Sequence, residues 1–211
     1  MAKSAARANQ QYRTRKDLLA AAARLMQAGQ RPSLEDVAAA ALVSRATAYR
    51  YFPDLEVLLA EASIDIATPD GDTLFAKDSS GDAVARVEKA EAALHRAVYG
   101  NERALRVMLA SSVMVGTRGL PVRQNRRLAL IEAALSPARG KLARRDYERL
   151  CRALCLIFGP EAMIVFEDVL RIDEKAARDV KAWAIKALVR AALDGPGQQA
   201  GRTVKRGYKS A

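Results

Sequence analysis

Residues 33–52 read SLEDVAAAALVSRATAYRYF, and the fold of the chain turns on them. Ser33 is a good helix N-cap, and Asp36 three residues on completes a capping-box pattern. Leu34, Val37, Ala38 and Ala41 then repeat one apolar face over a short helix. Ser44 caps a second helix running to about Phe52, and Pro53 with Asp54 opens another through roughly Ile66. At about 100° per residue, Ala48 and Phe52 share the inward side of the Ser44 helix. Ala46, Thr47 and Arg50 point the opposite way, with Arg45, Tyr49 and Tyr51 at the flanks.

That outward face suits duplex DNA. Small residues at 46 and 47 let a helix sink into a groove, and Thr and Ala methyls match thymine methyls. Arginine reads guanine or grips phosphate, and tyrosine hydroxyls donate to phosphate oxygens. Two short helices joined by a tight turn, the second bearing such a face, make a helix-turn-helix. Taken alone, the same residues also fit a solvated or packing face.

Working outward, the segment 1–12 reads as a flexible basic arm. From Thr14, Leu18, Ala22, Leu25 and Met26 mark a helix that Gly29 and Pro32 end. Residues 67–81 are rich in turn formers and predict a loop. Further helices are expected over about 82–98, from a cap at Asn101 to Gly116, and from Val122 to Leu135, where SPARG breaks the pattern. Two long helices follow, over about 143–170 and 174–194. In the first, FGPEAM (158–163) predicts a kink or break at Gly159, because Pro160 cannot donate to the helical ladder. Residues 196–211 form a low-complexity basic tail for which disorder is expected. The fold class is all-α, with no convincing strand pattern.

Half of the 211 residues are apolar and aromatics are scarce, as in a helical globular protein. The net charge of +11 is segregated: residues 1–52 hold +6, residues 196–211 hold +4, and the middle holds about +1. A polyanionic partner for the N-terminal part follows. No run approaches the ~20 apolar residues a bilayer span needs, no signal-peptide pattern is present, and a cytoplasmic location is expected. One histidine excludes a His-rich metal site, and no Cys/His cluster has zinc spacing. The absence of a nucleophile–base pair, Gly-rich phosphate loop or paired-carboxylate motif argues against an enzyme, and no cofactor is implied.

Several residues carry two readings. Cys151 and Cys155, four apart on a helix, are a thiol sensor or, preferably, small buried residues; an intrahelical disulfide would be strained. His95 lines an effector cavity or, preferably, lies on the surface. Glu161, Glu167 and Asp168 offer a cationic ligand a countercharge or, preferably, are solvated or interface carboxylates. Trp183, Ala184, Ala187, Leu188 and Ala191 form an apolar face on the last helix, suited to a dimer interface or to the intramolecular core.

The stretch SLEDVAAAALVSRATAYRYFPDLEVLL (33–59) resembles the DNA-binding segment of the TetR family of bacterial transcriptional regulators, VSRATAYRYFPDLEVLL being its most specific part. The resemblance begins with the Thr14 helix, and residues 149–193 resemble the last two helices of that family. It implies an all-helical protomer of about nine helices, with a reading domain over 13–59 and an effector-binding and dimerisation domain over 60–195. It also implies a homodimer that blocks transcription at an inverted-repeat operator until a small molecule loosens it. By match to the motif, Thr14, Ser33, Arg45, Thr47, Tyr49, Arg50 and Tyr51 face DNA beside Ala46, with Thr14 and Ser33 holding phosphates from helix N-termini. His95, Met114, Phe158, Met163 and Phe166 are candidate effector contacts. Cys155, Val165, Val169, Trp183, Ala184, Ala187 and Leu188 are candidate dimer contacts, the resemblance favouring the dimer over the core. Two positions depart from the pattern. Leu42 stands where the family usually has a turn glycine, a site that wants positive φ, and Leu55 replaces a lysine that often grips phosphate. The rival readings are a small-molecule-binding or enzymatic all-α protein, and a sequence-indifferent DNA coater.

Overall fold

Glycine and proline punctuate the chain at few places, and helices fill the intervals between them. The computed structural model describes residues 2–115 and 126–195, with side chains described for 9–113 and 126–195. The helices are α1 (Ala2–Gln27), α2 (Leu34–Ala40), α3 (Arg45–Tyr51), α4 (Leu55–Ala67), α5 (Gly71–Phe75), α6 (Ala83–Tyr99), α7 (Glu102–Val115), α8 (Arg126–Ala134), α9 (Arg144–Leu154), α10 (Pro160–Ile164) and α11 (Glu174–Leu193). A 3₁₀ turn, Ser136–Lys141, follows α8, and a π-helical turn, Val165–Val169, follows α10. No strand occurs among the described residues.

Four boundaries differ from expectation. Helix α1 starts at Ala2 rather than Thr14, so the expected arm is helical; residues 2–16 contain no Gly or Pro and are rich in good helix formers. The expected loop 67–81 contains α5, because the Asp70 side chain accepts from the Thr73 N–H and nucleates a turn. SPARG ends α8 as expected, but it tightens into the 3₁₀ turn rather than an open loop. The expected helix 143–170 is three pieces: α9 ends at Leu154, Gly159 adopts φ 103, and Pro160 takes the first position of α10. That backbone region is open almost only to glycine, and proline at N1 loses no helical hydrogen bond. The expected segment 122–125, the end at Gly116 and the tail 196–211 lie outside the described residues.

The chain divides into two compact units. The first, Met1–Thr68 with Ala97–Asn125, continues past the boundary expected at 59/60 and takes in α7. Within it α1 packs on α2 and α4, α2 on α3, and α7 on α4. Leu18, Leu19, Val37, Ala48, Phe52 and Leu58 are central to its core. Arg15 and Glu61, both buried, join α1 to α4 through a bidentate ion pair, and the Arg15 guanidinium lies 4.6 Å from the centre of the Phe52 ring. A charge-assisted pair so enclosed fixes orientation, because each partner strands the other if it leaves.

The second unit is Pro69–Arg96 with Arg126–Ala211. Here α5 packs on α8, α8 on α9, and α11 on α9 and the π turn. Buried Arg86 of α6 donates to the Ala133 and Ala134 carbonyls and stacks 4.1 Å over the Phe75 ring. Its positive charge meets the carbonyl end of α8, where the helix dipole favours a cation.

Candidate nucleic-acid interface

The interface is built from two capped helices of seven residues each. Ser33 caps α2 with the full capping box: its hydroxyl accepts from the Asp36 N–H, and its own N–H donates to the Asp36 carboxylate at 2.8 Å. The Ser33 hydroxyl and backbone N–H together hold the Asp36 carboxyl below its ordinary value. Leu42 makes the turn at φ 57, the left-handed conformation expected of a glycine site, with its side chain 94% exposed. Ser44 then caps α3 by accepting from the Thr47 N–H, while the two hydroxyls share a hydrogen bond of 2.8 Å.

From α3, Ala48 points into the core with Phe52 behind it, and the opposite face is open. Arg45, Ala46, Tyr49 and Arg50 are exposed and Thr47 is half-buried, so five of the expected DNA-facing residues share one accessible surface. Arg45 and Tyr49 are not free on it. The carboxylate of Glu35, on α2, accepts from Arg45 at 2.6 Å and from the Tyr49 hydroxyl at 3.4 Å. The backbone N–H of Glu35, supported by Arg45 and Tyr49, holds this carboxyl below its ordinary value. Exposed Arg13 and Lys16 add positive charge on α1.

Two expected contacts are corrected, and a third is engaged within its own cap. Thr14 is buried in the middle of α1, because that helix starts twelve residues earlier, so its N–H is no longer at a helix N-terminus. Tyr51 is only 8% exposed: seven residues of α3 carry it round to the core side, with the Arg50 guanidinium 5.3 Å from its ring centre. Ser33 does stand at the head of α2, but its hydroxyl is engaged by Asp36 at 2.6 Å. Leu55 is half-buried against the core of this unit, which accounts for an apolar residue there. Glu35 was missed by sequence reasoning; an acidic residue ten positions before an arginine signals nothing until the turn brings the two helices together.

Comparison with known proteins bears on this architecture. Residues 18–62 match the family described as bacterial regulatory proteins, tetR family. This match supports the TetR family. Among solved structures it is similar to a TetR transcriptional regulator from Rhodococcus sp. RHA1, at 22% identity and a TM-score of 0.55, over 84% of this chain and 97% of that one. No curated protein matches it significantly. The match encloses α2, α3 and the core residues behind them, and it supports a TetR-like DNA-binding transcriptional regulator. Regulators of this family are generally not enzymes. No helix among the described residues is long and apolar enough to cross a membrane.

In the second unit, His95 is 2% exposed, which overturns the surface expectation. Lys181, equally buried, donates to Glu91 at 2.9 Å and to Nδ1 of His95 at 3.0 Å. An ammonium can only donate, so Nδ1 accepts and Nε2 carries the proton toward Glu174, 2.9 Å away. Burial pushes the His95 pKa down, against the raising effect of the Glu174 hydrogen bond. A lone histidine in the sequence hid this row because Glu174 and Lys181 are far along the chain on α11. A groove of about 600 Å³ between α6 and α11 is lined by Glu91, Glu174, Arg178 and Ile185 among others. Of the expected effector contacts, Phe158 and Met163 have no exposed surface and Phe166 is buried beside Ala162 and Ala177, so none of the three lines it. The Met114 side chain lies outside the described residues.

The inner stripe of α11 is Ala177, Lys181, Ile185 and Val189. The face expected from periodicity therefore points away from the core, with Trp183 72% exposed and Val165, Val169 and Ala187 also exposed. Cys155, Ala184 and Leu188 are half-buried. Cys151 and Cys155 are free, and burial raises both thiol pKa values, which disfavours the reactive thiolate. Glu161 pairs with Arg127 at 2.7 Å, and Arg127 also donates to the Cys155 and Phe158 carbonyls, so this carboxylate staples the break before α10.

Proposed function

We propose that the chain acts as a homodimeric repressor that holds an inverted-repeat operator and releases it when a small molecule binds the second unit. The observation that carries this reading is the open face of α3. Arg45, Ala46, Thr47, Tyr49 and Arg50 stand on one accessible surface, small in the middle and cationic or hydroxylic around it. Two copies would place their α3 helices in successive major grooves, about 34–36 Å apart. Exposed Val165, Val169 and Trp183 support pairing between protomers, since large apolar side chains left in water favour a partner. Effector release requires a small molecule with different affinity for the DNA-bound and free arrangements.

The test is fluorescence anisotropy with duplexes selected from a random pool by the wild-type protein, against scrambled duplexes of the same composition. Wild type should prefer the selected duplex, and Arg50→Ala should lose about tenfold or more of that preference, the value of one good base-reading side chain. Equal affinity for both duplexes would leave a sequence-indifferent coater. No binding near physiological salt would leave a small-molecule-binding or enzymatic all-α protein.

A further inference from the structure

The Glu35 carboxylate is a negative charge against the exposed cationic and hydroxylic side chains of α3. It is exposed enough to meet DNA, with 38% of its side-chain surface open, yet it spends one oxygen on two groups of the reading face. Oε1 accepts from Arg45 at 2.6 Å and from the Tyr49 hydroxyl at 3.4 Å. Arg45 is the first residue of α3, and its side chain is otherwise 71% exposed. Left alone, such a cation would seize any phosphate within reach, releasing counterions with no regard to sequence.

We propose that Glu35 is a specificity-determining positioning residue: it withholds Arg45 and Tyr49 from indiscriminate phosphate binding and holds both where a matching duplex meets them. The inference rests on the reading of α3 as the DNA-reading helix. On a mismatched duplex, Arg45 must leave Glu35 to reach a phosphate, and a bare carboxylate is left facing the polyanion. On a matching duplex, the contacts of Thr47 and Arg50 bring α3 close, and side chains already fixed by Glu35 lose less conformational freedom on docking. One carboxylate therefore weakens non-specific binding more than specific binding.

Glu35→Gln keeps the length and helix propensity of the side chain and removes its charge. With selected and scrambled duplexes in a salt titration, the variant should bind the scrambled duplex about threefold or more tighter than wild type does. Its salt slope on that duplex should steepen by about one, the signature of one added phosphate contact. The ratio of selected to scrambled affinity should fall by about threefold or more, an effect absent from a residue that only supports the fold. In an Arg45→Ala background the same substitution should leave the ratio nearly unchanged, since the group it acts through is gone. An unchanged or higher ratio in Glu35→Gln overturns the proposal, as does an equal fall in the Arg45→Ala background. Wild type that binds both duplexes alike sinks the DNA-reading function itself, and is seen before any variant is made.

Discussion

Leu42 holds a conformation that its side chain resists. A non-glycine residue in the left-handed region costs roughly 1–2 kcal/mol, because Cβ crowds the following carbonyl. Nothing offsets this through packing, since the side chain is 94% exposed at φ 57. Leu42→Gly relieves the crowding and adds only the entropy of a more flexible unfolded chain, roughly 0.5–1 kcal/mol. The substitution should stabilise the protein by about 0.5–1 kcal/mol, read as a higher urea midpoint at unchanged slope. A lower midpoint would mean that Leu42 contributes something other than backbone strain. Tyr51 teaches the complementary lesson at the same scale. Its hydroxylated ring was expected at the rim of DNA, yet it is buried beneath the Arg50 guanidinium. The side-chain type suited either place, and only the angular position at the end of α3 separated them.

Among elements, the α6–α11 pair is the most chemically distinctive. Its row of buried Glu91, Lys181 and His95, ending on exposed Glu174, is held by hydrogen bonds of 2.9–3.0 Å. In the unfolded chain a histidine gains its proton as the pH falls through about 6.5. Folded His95 stays neutral to lower pH, because burial depresses its pKa. The native state thus binds fewer protons than the unfolded one just below pH 6.5, and the stability present above that value is lost as the pH drops toward the folded-state pKa. Wild type should lose urea stability between pH 7 and 5, and His95→Gln, which cannot titrate, should show a flatter dependence over that window. Carboxylates titrate lower and add little there. Equal slopes for the two proteins would place the pH response elsewhere.

At the scale of the whole molecule, the decisive question is assembly. An inverted repeat is read by a symmetric pair, and the exposed Val165, Val169 and Trp183 offer a surface that a second copy would cover. Trp183→Glu leaves the core stripe of Ala177, Lys181, Ile185 and Val189 untouched, so the protomer should keep its helical circular dichroism. The carboxylate would have no partner in an apolar interface. Sedimentation velocity should show wild type as a dimer and the variant as a monomer, with tenfold or greater loss of affinity for a selected inverted repeat. A monomeric wild type, or a dimeric variant with unchanged binding, would dismiss this face as the interface.

By itself, the order of residues determined what depends on neighbours in the chain. The capping serines at 33 and 44, the break at Gly159 and the inward Ala48 and Phe52 all follow from contacts within a few residues, where backbone geometry leaves little choice. The tertiary structure alone decided what depends on partners distant in sequence. Thr14 left the reading face because α1 runs back to Ala2, His95 left the surface because α11 covers it, and Glu35 joined the site because the turn carries it to Arg45. A helical period states which residues share a face; which neighbour, if any, that face meets depends on packing, and no local pattern records it.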